Sequence, residues 1–171
     1  MDDVVTVRNA RMELVIERQE RWPKTAGMEY EVLRKLGLNT LSQEALWVVT
    51  FDSLVNVRTV LEVARGGPQS VDVHIPSVMQ AVLLSGTDRF LVAHNHPSGD
   101  PAPSIADGKL AISICNAANT CGLYLDDFLI VTPRGPHISF ADMGWHRAAV
   151  YGGDMETLPG AKVIQRKVVM S

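Results

Sequence analysis

Two histidines and an aspartate in the middle of the chain have the types and the spacing to bind a metal ion. His94 and His96 end the apolar run RFLVAHNH (89–96), and Asp107 follows after a loop rich in proline and glycine. In an extended strand, residues two apart project from the same face, so the two imidazoles can reach one point. Two histidines and one carboxylate form the three-ligand set of a catalytic zinc, whose fourth position is left to water. The sequence therefore predicts one zinc ion per chain in an open site.

Each of these residues also has an interpretation without a metal. A pair of histidines near a strand end is often found at a protein surface, or in a core where backbone groups satisfy the imidazoles. Asp107 stands three residues after Ser104, and this SxxD spacing is typical of a capping box at the start of a helix. A capping role and a ligand role for Asp107 are compatible. The complete pattern, HxH followed by proline and then by SxxD, favours the metal.

The string HNHPSGDPAPSIAD (94–107) resembles the JAMM signature of the JAB/MPN metalloproteases, and most closely the version in bacterial RadC-like proteins. The resemblance covers about residues 30–145 and includes LEVARGG (61–67), VHIPSV (73–78), DFLIV (127–131) and SFADMG (139–144). It implies one α/β domain of the JAB/MPN, cytidine-deaminase-like class, with a central mixed β-sheet flanked by helices.

The resemblance also implies a role for individual residues. His94, His96 and Asp107 match the zinc ligands of the family, and Ser104 matches the serine that hydrogen-bonds the tetrahedral intermediate. Glu62 matches the upstream glutamate that accepts a proton from the zinc-bound water and hands it to the leaving amine. From its strand alone, Glu62 would be interpreted as an outward-facing surface charge.

The reaction implied by the resemblance is hydrolysis of an amide by a metallopeptidase or isopeptidase. Its substrate would be a protein or peptide, either ubiquitin-like or of another kind. Two alternatives stay open: a RadC-like protein that acts in DNA repair or as a metal-dependent nuclease, and a non-catalytic MPN scaffold for protein partners. Scaffolds of that kind typically lack the zinc ligands, all of which are present here.

Two further residues are candidates for supporting positions around the metal. His74 matches a histidine common in RadC-like sequences and is interpreted as lining the site, with a plain loop histidine as the alternative. Asp126 and Asp127 are neighbours on a strand and point to opposite faces, so they do not form a carboxylate pair for two metals. Asp127 is interpreted as the one that hydrogen-bonds backbone or a metal-ligating histidine.

The chain departs from RadC-like sequences in three places. Phe128 stands where they usually carry a histidine after the aspartate, so any role of that histidine is absent. The helix-hairpin-helix segment that often precedes the RadC catalytic domain is missing, which removes the main family argument for DNA contact. Residues 146–171 have no counterpart and are interpreted as a C-terminal extension of unassigned role, while residues 1–29 are interpreted as strand and loop packed on the domain.

The hydrophobic pattern predicts the elements that must position these side chains. After a short helix ended by Gly37, the order is β, β, α, β, α, β, β, which indicates an α/β layout with a mixed sheet. The first two strands form a hairpin candidate, the next helix runs from Pro76 to Gly86, and the helix after it begins at Ser104. The predicted strands lie at residues 45–53, 57–66, 89–96, 123–132 and 137–140, with further possible strands within 4–18 and 163–170.

Charge and composition narrow the classes of partner. A net charge of -3 over 171 residues provides no long-range attraction to phosphate, so nucleic acid is not favoured, although Arg58, Arg65 and Arg89 could form a local basic patch. The first residues do not resemble a signal peptide and no window is apolar enough to span a membrane, which predicts a cytoplasmic protein. Cys115 and Cys121 are predicted to be reduced, and the oligomeric state is not indicated.

Overall fold

The computed structural model describes residues 26–66 and 72–144, and it is organised around a five-stranded sheet. The elements follow one another in the order predicted from the hydrophobic pattern. The strands are β1 (Ala45–Phe51), β2 (Val57–Arg65), β3 (Arg89–Asn95), β4 (Tyr124–Val131) and β5 (His137–Ser139). The helices are α1 (Ala26–Lys35), α2 (Ile75–Ser85) and α3 (Ile105–Thr120), with one short 3-10 turn at Leu38–Thr40.

The sheet has the strand order β2-β1-β3-β4-β5 and is mixed, as predicted. β1 is antiparallel to both β2 and β3, and β4 is antiparallel to β5. β3 and β4 are parallel, and a parallel pair requires a crossover connection, which α3 supplies. The predicted hairpin is β1–β2, and its turn is held by Asp52, whose Oδ1 accepts from the backbone N–H groups of Leu54 and Asn56 at 2.9 Å.

The two faces of the sheet are buried against different helices. On one face, α2 and α3 pack on side chains of all four long strands, with the buried residues Leu46, Val48, Val78, Val82, Phe90, Val92, Ile114, Phe128, Ile130 and Phe140 among them. On the other face, α1 and the turn after it pack on a smaller cluster that includes Tyr30, Leu33, Leu38, Val49, Phe51, Leu91, Ala93, Leu129 and Val131. The helices therefore flank the sheet on both sides, as expected for the α/β class.

The central strands fix the position of the candidate ligands. β1 and β3 are almost fully buried on both faces, which explains why they read as apolar runs instead of alternating ones. Because they are antiparallel, the start of β1 lies beside the end of β3, and Leu46 pairs with His94. Residues just before β1 and just after β3 are therefore neighbours in space.

Most predicted helix boundaries agree with the structure, but α1 begins at Ala26, inside the 1–29 segment interpreted as strand and loop. Ala26, Met28 and Glu29 have high helix propensity, which favours this earlier start. Gly37 and Gly86 have φ angles of 75° and 71°, in the left-handed region that glycine adopts readily, and each follows the end of a helix. Ser104 is the N-cap of α3 and forms a full capping box with Asp107. The first turn of α3 is thus fixed to the loop that follows β3.

Several predictions concern parts of the chain that lie outside the described residues. These are the strands expected within 4–18 and 163–170 and the C-terminal extension (146–171). The division of the chain into residues 1–29, 30–145 and 146–171 stays a prediction. No helix in the described part of the chain combines the length and the apolar character that crossing a membrane requires.

Candidate metal centre

His94 and His96 meet at the C-terminal end of β3, with their rings edge to face and the ring centroids 4.9 Å apart. Nδ1 of His94 is 3.1 Å from the backbone oxygen of Ala45, and Nδ1 of His96 is 2.9 Å from that of Asp100. A carbonyl oxygen only accepts hydrogen bonds, so each Nδ1 carries a proton. In the neutral ring Nε2 then keeps its lone pair, which is the state that a metal requires of a histidine ligand.

The carboxylate of Asp107 faces both imidazoles. Its Oδ1 is 3.5 Å from Nε2 of His94, and its Oδ2 is 3.6 Å from Nε2 of His96. These separations are long for hydrogen bonds but close to the spacing of about 3.3 Å between ligand atoms around a tetrahedral zinc with bonds of about 2.0–2.1 Å. The structure therefore brings the three predicted ligands together, and their nitrogen and oxygen atoms suit a divalent cation.

Glu44 is a second carboxylate at this position, and the sequence pattern did not predict it. It stands immediately before β1, and its Oε2 is 3.8 Å from Nε2 of His94. Glu44, His94 and His96 each offer a ligand atom, and these atoms all lie within 4.8 Å of one another. Its side chain is 14% exposed, so the carboxylate remains accessible to solvent. We refer to Glu44, His94, His96 and Asp107 as the candidate centre.

Burial and charge act in opposite directions on the pKa values of His94, His96 and Asp107. Burial is the largest influence on His94 and holds the pKa of its imidazole below the ordinary value, although Asp107 acts to raise it. Burial also acts to lower the pKa of His96, but Asp107 and the carbonyl of Asp100 outweigh it and the pKa is raised. For Asp107, burial is outweighed by His96 and Ser104, so the pKa is lowered and the carboxylate stays ionised. A metal therefore competes with a proton mainly at His96.

Glu62, predicted to be the proton-transfer residue, lies on the other face of the sheet. It pairs with Trp47 of β1, which pairs with Ala93 of β3, and directly opposite residues share a face. His94 is the next residue of β3 and points the opposite way. The carboxylate of Glu62 instead binds Arg65, with two contacts of 2.5 and 2.7 Å. The structure does not bring Glu62 to the histidines, and Glu44 stands at the position that Glu62 was expected to fill.

The sequence does contain a signal for Glu44, although a weak one. It is the acidic residue just before β1, a strand that is apolar apart from Thr50. Its proximity to His94 follows only once β1 is known to be antiparallel to β3, and that pairing is a property of the sheet order. A strand-by-strand interpretation could not supply it.

Ser104, expected to act on the reacting group, is engaged with Asp107. Its hydroxyl donates to Oδ2 of Asp107 at 2.7 Å, while its backbone N–H donates to the same oxygen at 2.6 Å. Its Oγ accepts from the backbone N–H of Asp107 at 3.1 Å. Ser104 thus holds the ligand in place, and its contact with a substrate stays a prediction.

The other two supporting residues do not join the candidate centre. His74 is an exposed residue just before α2, and its Nδ1 is 3.1 Å from Oγ of Ser77. Asp127 is buried and accepts from the hydroxyl of Ser139 at 2.5 Å and from the backbone N–H of Ala141 at 2.8 Å. The contacts of Asp127 tie β4 to the segment around β5, so its role there is structural.

Phe128, the departure from RadC-like sequences, lies in the main core. Its side chain is fully buried and its ring is 5.0 Å from that of Phe140. It is two residues before Ile130, which pairs with His94, so it lies on the same face of the sheet as the candidate centre but deeper in the core. An apolar side chain is favourable at such a position.

Two of the three arginines considered for a basic patch are paired with carboxylates. Arg65 binds Glu62, and Arg89 binds Oδ1 of Asp126 at 2.8 Å. These ion pairs reduce the positive potential that a nucleic acid would meet at the surface. Within residues 26–66 and 72–144, these pairings therefore give no support to a DNA-binding face.

A family model agrees with this geometry. The model, described as the RadC-like JAB domain, matches residues 25–145. The chain belongs to the RadC-like JAB domain family. The match includes every described element and all four residues of the candidate centre, so the family inferred from the HNHPSGDPAPSIAD string is confirmed.

Several UPF0758 proteins from bacteria are similar to this RadC-like JAB domain. The one from Porphyromonas gingivalis is 32% identical over 107 residues, which cover 63% of this chain and 47% of the relative. Its counterpart in Shewanella baltica is 36% identical over 104 residues, covering 61% and 46%. A third, from Chloroflexus aurantiacus, is 26% identical over 126 residues, covering 74% and 55%. The chain spans about half the length of the curated relatives it matches.

Proposed function

We propose that this chain is a metal-dependent hydrolase in which His94, His96 and Asp107 hold one zinc ion and Glu44 transfers protons. The observation that carries the proposal is the convergence of two imidazole Nε2 atoms and two carboxylates where β1, β3 and α3 meet. Two histidines with one carboxylate are a ligand set of catalytic zinc sites. A zinc ion bound there would polarise a carbonyl group and lower the pKa of a water molecule.

Glu44 is suited to proton transfer because its carboxylate lies 3.8 Å from Nε2 of His94 and, among the described residues, forms no ion pair with a lysine or arginine, unlike Glu62 with Arg65. Its carboxylate takes the proton of the water that attacks the carbonyl carbon and then gives it to the leaving nitrogen. Its partial exposure lets it reach both groups. General acid–base catalysis of this kind contributes about 10²–10⁴-fold to the rate.

An amide in a protein or peptide is the proposed substrate, as either a peptide bond or an isopeptide bond. When an amide is hydrolysed, its nitrogen must gain a proton to leave as an amine. Supplying that proton is the task proposed for Glu44. The resemblance of the 94–107 string to the JAB/MPN metalloproteases supports the same bond type. A ubiquitin-like protein is one form that such a substrate can take.

A nucleic-acid substrate and a purely scaffolding role have less support. The chain carries a net charge of -3, and Arg65 and Arg89 are neutralised by carboxylate partners. A scaffold does not require converging Nε2 atoms with their tautomers set by backbone carbonyls, whereas a metal site does.

The proposal is tested by comparing Glu44→Gln with Glu62→Gln in the full chain purified with its metal retained. Zinc is measured by mass spectrometry, and hydrolysis is measured as new amino groups released from a peptide library and from isopeptide-linked conjugates. We expect one zinc per chain in all three proteins, a loss of about 10²–10⁴-fold in kcat for Glu44→Gln, and unchanged turnover for Glu62→Gln.

Two results would contradict the proposal. Wild-type turnover in Glu44→Gln would remove Glu44 from the reaction. Full zinc content after His96→Ala and after Asp107→Asn would show that the metal lies elsewhere in the chain.

A further inference from the structure

Asn95, the residue between the two histidines, forms hydrogen bonds with the backbone on both sides of Glu44. Its side chain is 1% exposed. Its Oδ1 accepts from the backbone N–H of Ala45 at 2.7 Å, and its Nδ2 donates to the backbone oxygen of Gln43 at 3.0 Å. Because one partner only donates and the other only accepts, the orientation of the carboxamide is determined by chemistry.

These two hydrogen bonds continue the pairing of β1 with β3 beyond its last backbone pair. The backbone pairing between β1 and β3 begins at Leu46 and His94, so Gln43 and Glu44 lie beyond the last paired residues. A carboxamide carries one carbonyl and one N–H group in the arrangement of a peptide bond. The side chain of Asn95 therefore extends the β1–β3 ladder to the segment that carries Glu44.

Two further hydrogen bonds hold the same segment. We refer to the contacts of Asn95, His94 and Gly66 with the backbone of residues 43–45 as the clamp. Nδ1 of His94, which like Asn95 belongs to β3, donates to the backbone oxygen of Ala45 at 3.1 Å. On the β2 side, the backbone N–H of Gly66 donates to the backbone oxygen of Glu44 at 2.8 Å. With Asn95 removed, Gln43 and the Ala45 N–H would lose their bonds to β3. The segment would then be attached to β3 by the single bond from His94 to Ala45, and to β2 by Gly66 and by the pairing of Ala45 with Arg65.

We infer that Asn95 is a positioning residue, whose carboxamide sets the place of the Glu44 carboxylate relative to His94. It acts through the backbone and does not itself contact the ligand atoms of the candidate centre. The inference rests on the proposed role of Glu44 in proton transfer. It explains why a polar side chain is buried between two histidines, where an apolar residue would pack at a lower desolvation cost.

The test compares Asn95→Ala, Glu44→Gln and the double variant in the zinc-loaded full chain. For Asn95→Ala we expect a 10–100-fold lower kcat, the size usual for groups that orient a metal site, with KM within twofold and one zinc per chain. In the residual turnover of Glu44→Gln, adding Asn95→Ala should change little, because the residue it positions is already inactive. Hydrogen exchange of the Ala45 amide should become at least tenfold faster.

Asn39→Ala is the matched control. Asn39 is also a buried amide, with Nδ2 3.4 Å from the Tyr30 hydroxyl and 3.5 Å from the Pro133 oxygen, on the other side of the sheet. It should lose stability without losing kcat. If Asn95→Ala does not fold, Asn95→Asp keeps the size and the acceptor for Ala45 but sets an oxygen against that of Gln43, and the same loss of kcat is expected.

Three results would overturn the inference: unchanged exchange at Ala45, unchanged kcat, or an undiminished loss of kcat in the Glu44→Gln background. The last would mean that Asn95 acts on the fold and not through Glu44. A wild-type chain that binds zinc but hydrolyses no amide would remove the proposed function, and the Ala45 exchange would then decide by itself whether the clamp exists.

Discussion

At the scale of single residues, Asp107 has two roles at once. One oxygen, Oδ2, accepts from the backbone and hydroxyl of Ser104 and so caps α3, while Oδ1 faces Nε2 of His94. The cap restricts the rotation of the carboxylate before any metal arrives, which lowers the entropic cost of binding. The helix N-terminus also favours the ionised form that a cation needs.

Ser104→Ala should weaken both roles of Asp107. We expect the free energy of unfolding of the metal-free chain to fall by about 1 kcal/mol, the usual cost of losing an N-cap. Zinc affinity should fall by about 10-fold or more, because Oδ2 loses the partner that orients it. Urea denaturation and competitive zinc titration measure the two effects.

Ser113→Ala is the matched control for that substitution. It removes a hydroxyl from the exposed side of the same helix, where Oγ donates to the Lys109 carbonyl at 2.9 Å. Its free energy of unfolding should stay within about 0.5 kcal/mol of wild type. Equal losses in the two serine variants would show that the capping box adds nothing specific.

The residue scale is also where prediction from sequence was least complete. His94, His96, Ser104 and Asp107 lie within fourteen consecutive residues of one motif, so their spacing alone carried most of the information. The glutamate comes from a different part of the chain. Register between strands decides whether its side chain faces the histidines, and the irregular pairing between Leu46 and Trp47 cannot be read from the residues.

At the scale of elements, local pattern was sufficient for most of the fold. The helix after Pro76, the capping box at Ser104 and the hairpin β1–β2 follow from turn residues and hydrophobic periodicity. Pattern could not supply the order of the strands, because pairing between β1 and β3 joins segments about forty residues apart. For the same reason, pattern could not decide between backbone and a histidine as the partner of Asp127, since its place depends on which face of β4 it occupies; the structure shows backbone partners.

Asp127→Asn tests the structural role that the sheet gives this residue. The amide keeps the shape but turns one of the two acceptors into a donor, facing the hydroxyl of Ser139 or the N–H of Ala141. We expect the free energy of unfolding to fall by about 2–3 kcal/mol, with the zinc content unchanged. Denaturation and metal analysis of the same sample provide both measurements.

The adjacent aspartate offers the comparison for Asp127→Asn. Asp126 forms a partly exposed ion pair with Arg89, and such pairs contribute less than about 1 kcal/mol. The free energy of unfolding of Asp126→Asn should therefore fall by less than about 1 kcal/mol. A larger effect at position 126 than at 127 would reverse this assignment, and loss of zinc at 127 would return Asp127 to the metal site.

At the scale of the whole molecule, the candidate centre joins β3, α3 and the segment before β1. A metal that binds the folded chain more tightly than the unfolded chain must stabilise it. Zinc at a free concentration 100-fold above its Kd should raise the free energy of unfolding by about 2.7 kcal/mol, less any binding to the unfolded chain.

This stabilisation is measured by urea denaturation with buffered zinc and with a chelator. His96→Ala should abolish the increment, because it removes one Nε2 ligand. His74→Ala removes an exposed histidine that binds Ser77 instead, and it should keep the increment in full. The same increment in both variants would mean that zinc stabilises the protein from another site.

The β1–β3 junction has a consequence for the order of events during synthesis. The groups that converge there extend from residue 44 to residue 107, and they meet only when the first strand has paired with the third and α3 has formed. In a nascent chain whose synthesis has not yet reached α3, these side chains are still apart and cannot bind the same ion. Under the proposed function, metal capture is therefore a late event in biogenesis, because the central layer of the molecule has to be assembled first.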